Sequence, residues 1–144
     1  MKWSRIISLG FGIGVFLNLV GILGNGVLLR QAWADAIPVR PAQAMTGAMS
    51  TAVSLSSDFV FGLALVWLYA AMLPRFGATF ATGARAALVI WILGVAVPYV
   101  GIVRIGWLPA GITVATALVA LVGFVPAVWL TVRFYPATSS AEAG

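Results

Sequence analysis

Apolar positions along the chain fall into four long runs separated by short polar stretches, and the polar positions inside those runs are few and regularly placed. The first run, Ile6 to Leu29, carries no charge over 24 residues. As a helix it would extend roughly 36 Å, against a bilayer hydrocarbon core of about 30 Å. The four runs predict helices over about 6–29, 48–73, 84–103 and 108–132. The start of the second is set by length. A cap at Ser57 or Asp58 would leave only Phe59 to Leu73, 15 residues, or roughly 22 Å, too short to cross. The helix is therefore expected to begin between Ala44 and Ala52, with Asp58 more than a turn inside it. Pro38 and Pro41 interrupt the connection Arg30 to Ser50, Pro74 is expected to end the second helix, and Pro98 and Pro126 fall inside the third and fourth.

Within the first run, Gly10, Gly14, Asn18, Gly21 and Asn25 follow at steps of four, four, three and four, which places them on one helix face. In lipid a row of small residues lets another backbone approach closely, and an amide seeks partners away from acyl chains. This face is expected to point into the bundle, with Gly10, Gly14 and Gly21 packing and the two asparagines hydrogen-bonding. Gly12, Gly24 and Gly26 fall off the row and form a candidate second contact surface, such as a homodimer face. Asn25-Gly26, a turn signal in water, is flanked by apolar residues on both sides and is read as helix interior.

Four helices put both termini on one side. On the other side meet Asn25 and Arg30, then Asp58 with Ser54, Ser56 and Ser57, then Tyr99 and Arg104, and finally Thr113 and Thr116. Trp67, Trp91 and Trp129 lie towards the opposite side. The expectation is a bundle polar inside at one end and aromatic inside at the other. An acid below the membrane surface is a functional candidate whose partner should be named; for Asp58 that is Arg104, with Arg30 second. Asn18, Asn25, Asp58, Tyr99 and Arg104 form the candidate ligand or ion-pair pocket, against the plainer reading of an ion pair that only fastens helices.

Composition agrees with lipid as the medium: 62% of residues are hydrophobic and mean hydropathy is +1.11. The net charge of +5 comes from single, scattered cations with no basic run, which excludes a nucleic-acid surface. Lys2, Arg5, Arg75, Arg85 and Arg133 fall on the side of the termini and Arg30, Arg40 and Arg104 on the other, five against three, favouring N-in, C-in in a bacterial inner membrane. Absence of cysteine and histidine removes disulfides, thiolate and imidazole metal ligands and the usual base near neutral pH. Asp35, Asp58 and Glu142 are too far apart in sequence for a metal cage or a two-carboxylate hydrolase. No phosphate loop, zinc-protease motif or nucleophile elbow is present. No enzyme, metal or cofactor is expected. Lys2, Arg5 and the later Ala34-Asp35-Ala36 resemble signal-peptide flanks, but the apolar run far exceeds the 7–15 residues of such a segment, so it is read as an uncleaved anchor. Residues 1–135 form one membrane domain and 136–144 a tail expected to be disordered.

Two stretches, Asn18 to Trp33 and Val66 to Gly94, resemble a group of small, uncharacterised four-helix bacterial membrane proteins. The resemblance rests on Asn18, Gly21, Asn25, Gly26 and Trp33, and on Trp67-Leu68-Tyr69-Ala70-Ala71 followed by Pro74-Arg75-Phe76-Gly77. Ile22 stands where that pattern has glutamate and Leu73 where it has an arginine. The resemblance implies an all-α, four-helix fold in a membrane and no activity. Small multidrug-resistance transporters match in size alone, because the glutamate they need in the first helix is absent. The expected function is an accessory or scaffold subunit, or an orphan membrane protein of unknown process, without catalytic chemistry; its expected partners are the lipid bilayer and a homo-oligomer or larger membrane complex. The alternative is a small transporter or ligand-binding protein using the polar pocket.

Overall fold

The computed structural model describes residues 3–37 and 47–135. The expected tail, Lys2 and the Pro38–Pro41 interruption lie outside them. Among the described residues there are helices and no strand. α1 (Trp3–Gly21) continues through a π-helical turn, Ile22–Leu28, into the short α2 (Arg30–Ala36). α3 is Gly47–Phe76, α4 Phe80–Trp91, and α5 Val97–Arg104 follows α4 through a second π-helical turn, Ile92–Ala96. α6 is Ala110–Phe134. Four helices are long and apolar enough to cross a membrane: Trp3–Leu28, Thr51–Phe76, Phe80–Arg104 and Ala110–Phe134.

Several ends differ from expectation for local reasons. Pro74 does not stop α3, because a proline in the last turn removes only one hydrogen bond near a terminus. The stop is Gly77, whose φ of +74° suits glycine and whose N–H donates to the Leu73 carbonyl at 2.9 Å. α4 starts at Phe80 rather than Ala84 because Thr79 caps it: its Oγ1 accepts from the Thr82 N–H at 3.2 Å. The Thr82 hydroxyl meets the Gly77 carbonyl at 2.9 Å, so the turn is closed from both sides. α2 lies where only a connection was expected.

Helix α1 packs most extensively on α3 and next on α6, while α4 packs on α3 and α6. The row on α1 faces inward as expected: Gly10, Gly14 and Asn18 are buried and Gly21 and Asn25 half-buried. Its glycines meet a glycine. A β-carbon on Gly62 would lie 2.6 Å from the Gly14 nitrogen and 3.0 Å from its Cα, so α1 and α3 touch backbone to backbone there. The off-row glycines divide: Gly12 and Gly26 are exposed, whereas Gly24 is buried against Val119 of α6. Gly24 thus belongs to the bundle contact and not to a second surface.

Beyond Gly62 the interior is filled by Leu65, Val66, Tyr69, Ala86, Ala127 and Val128. The aromatic end is built differently from expectation. Trp67 and Trp129 are 45% and 58% exposed, so they face outward. The buried aromatics there are Tyr69 and Tyr135, edge-on to each other at 6.2 Å. Trp91 ties α4 to α6, its indole N–H donating to the Ala117 carbonyl at 2.9 Å.

Candidate functional site

At the other end the bundle is hollow. α5 keeps sparse packing on α6 and no comparable packing on α3, so the third span parts from the second beyond the π-helical turn. Pro98 accounts for the local geometry. It has no N–H for the Gly94 carbonyl, and its ring crowds that carbonyl, so the turn before it widens. The first π-helical turn contains Gly24, Asn25 and Gly26, and it closes with Leu29 N–H donating to the Gly24 carbonyl at 2.9 Å. Both π-helical turns contribute to one cavity wall, through Ile22 and Asn25 and through Gly94 and Val95. Such turns occur often at functional sites.

The cavity has a volume of about 610 Å³ and is bounded by α1, α2, α3, the second π-helical turn, α5 and α6. Its outer rim includes the exposed Thr51, Ser54 and Ser57 of α3; its inner end includes the buried Leu17, Gly123 and Phe124. Phe61 and Phe124, with ring centroids 6.4 Å apart, lie together at that inner end. From Leu17 to Asn25 the wall on the first span covers about 12 Å of helix rise.

Of the residues singled out by sequence, Asn18, Asn25, Asp58 and Tyr99 all line this cavity. Arg104 does not. It is exposed and lines a neighbouring apolar groove of about 360 Å³ between α5 and α6, which also includes Tyr99, Trp91 and Thr113. Among the described residues Asp58 forms no ion pair with Arg104 or with the exposed Arg30, and no hydrogen bond. The expected pair is therefore absent. The physical reason is helix geometry: Tyr99 and Arg104 stand five residues apart on α5, about 140° apart around the helix, so with Tyr99 in the cavity Arg104 faces elsewhere.

The polar groups in the wall differ in what they do. Asn18 donates through Nδ2 to the Gly14 carbonyl at 2.9 Å and across to the Leu55 carbonyl on α3 at 3.2 Å, fastening α1 to α3 at the inner part of the cavity. Asn25 accepts from the Trp33 indole N–H at 3.4 Å, so α2 folds back and sets an indole in the cavity wall. Gly21 faces the acid: a β-carbon there would lie 3.6 Å from Asp58 Oδ2. Thr116 is 7% exposed, lines the cavity, and its hydroxyl has no hydrogen-bond partner. Among the described residues no lysine or arginine lines the cavity.

Sequence reasoning did not identify Trp33, Phe61 and Phe124 as wall residues. Trp33 was legible only as one position of the resemblance, and no periodic signal marks the Phe61–Phe124 pair as cavity rather than core. Among the described residues no group of histidine, cysteine, aspartate or glutamate could hold a metal ion. No family model, no curated protein and no solved structure matches this chain.

Proposed function

We propose that the protein is a multi-pass integral membrane protein that binds a small polar or amphiphilic ligand in the cavity around Asn25, Asp58 and Tyr99, without catalysing a reaction on it. The observation that carries the reading is the Thr116 hydroxyl, buried in the wall with no partner among the described residues. A buried hydroxyl left unbonded is costly, and an adjacent occupied cavity relieves that cost. Scarcity of acid-base groups argues against catalysis, since the cavity wall holds one carboxylate and no histidine. The five-against-three distribution of cations supports N-in, C-in, which opens the cavity rim at Ser54 and Ser57 to the periplasmic face of a bacterial inner membrane. An accessory subunit is the competing role.

The natural chain has no cysteine, so single thiols can be placed against a blank background. Thr116→Cys puts a thiol in the cavity wall, and Thr131→Cys puts one in the filled end of the same helix, where Thr131 is fully buried. A membrane-impermeant thiol reagent added to intact membranes is expected to modify Thr116→Cys and leave Thr131→Cys unmodified. Equal protection of both would remove the ligand-binding reading and leave the accessory role.

A further inference from the structure

We infer that the ligand is a small organic monocation carrying alkyl or aryl substituents. This rests on the ligand-binding reading above and specifies its chemistry. Three features of the cavity converge on it. Among the described residues the one formal charge in the wall is the carboxylate of Asp58, and nothing there neutralises it. A charge held in a partly dry site without a partner is unfavourable, and a cation in the cavity supplies the missing half.

Aromatic side chains stand in the wall with Asp58. Trp33, Tyr99, Phe61 and Phe124 come from four different helices and line the same space. Aromatic rings attract substituted ammonium groups through their quadrupole, and do so more strongly where water is excluded. An anion meets the wrong sign at Asp58 and against those rings.

Size favours an organic cation over a bare inorganic one. A cavity of about 610 Å³ is far larger than the roughly 30 Å³ share of one water. A calcium ion would need six to eight oxygen ligands, and the wall has one carboxylate. The Thr116 hydroxyl and the exposed Ser54 hydroxyl are left for polar substituents on the ligand, while the Ser57 hydroxyl already donates to the Val53 carbonyl at 3.0 Å. The neighbouring Arg104, outside this cavity, cannot serve as the counter-charge.

The test is calorimetric titration of the full chain in dodecyl maltoside micelles with three probes of similar size: benzyltrimethylammonium, benzyl alcohol and benzenesulfonate. The expected result is saturable binding of one benzyltrimethylammonium per chain, with no saturable binding of the other two. Asp58→Asn, which keeps shape and removes charge, should weaken binding by about tenfold or more, and Asp58→Glu should restore part of it. Tyr99→Leu should weaken it about three- to tenfold, and Arg104→Gln should leave it unchanged. The Tyr99→Leu result keeps the test decisive should Asp58→Asn fail to fold. Equal binding of all three probes, indifference to Asp58→Asn, or displacement of the probe by an equal concentration of sodium would each overturn the assignment. So would absence of binding by every probe. Thr116→Cys modification separates the two levels: if the thiol is reached and no charge preference appears, the cation is wrong and the cavity stands; if it is not reached, both fall.

Discussion

The two ends of the bundle use the same four membrane-length helices for opposite purposes. Around Gly10, Gly14 and Gly62 the chain removes side chains so that backbones touch, and beyond them Tyr69, Ala86, Ala127 and Val128 fill the interior. Around Asn25, Asp58 and Tyr99 it widens two helices with π-helical turns and leaves space. Rigid contact at one end lets the other stay open, because lipid supplies no hydrophobic drive to close it. The difference teaches that glycine has opposite uses here. Gly62 lets helices meet, whereas Gly94 makes room for the Phe61 ring, 2.6 Å from where its β-carbon would fall.

The sharpest way to break the comparison is to add one carbon to the tight end. Gly62→Ala places a methyl against the α1 backbone at Gly10 and Gly14, and neither neighbour can rotate away. Stability in a detergent unfolding titration is expected to fall by about 3 kcal/mol; an unchanged midpoint would show that the α1–α3 contact is not tight. Asn18→Leu acts at the boundary between the ends. It removes the bond to the Leu55 carbonyl and is expected to cost about 1 kcal/mol by the same titration.

Neutralising the hollow end should move stability in the other direction. With no partner for Asp58 among the described residues, Asp58→Asn is expected to leave the unfolding midpoint unchanged or raise it, by up to about 1 kcal/mol. A clear loss would reveal an ion pair with Arg104 in the membrane. Tyr69→Phe is the smallest change. The Tyr69 hydroxyl is buried without a partner in the filled end, so its removal should raise stability by less than about 1 kcal/mol, while leaving access to Thr116→Cys unaltered.

The spans themselves were legible because length and apolarity are local properties, and the row from Gly10 to Asn25 was legible because regular α spacing holds through most of it. What escaped was set by departures from that spacing or by tertiary contact. Arg104 and Tyr99 read as neighbours of Asp58, yet only Tyr99 reaches the cavity, because the two stand five residues apart on α5 and so point about 140° apart around it; which of the two faces Asp58 is set by how α5 packs. Trp67 and Trp129 sit in runs that are apolar on every face, so hydrophobicity could not say which side of the helix meets protein and which lies outside. α2 is seven residues long, too short to form alone. Its docking through Trp33 onto Asn25 depends on a contact eight residues away.

Each π-helical turn is equivalent to one residue inserted into an α-helix, and one residue corresponds to about 100° of rotation. The cavity therefore depends on register as well as on composition. Losing a single residue between Ile22 and Leu28 would return the first span to regular α geometry, with the helix beyond keeping its orientation, and would change which side chains of the widened turn stand in the cavity wall. Related chains of different length in this short stretch would present different walls from the same scaffold, so a one-codon insertion or deletion is a route by which such a bundle could change what it accommodates.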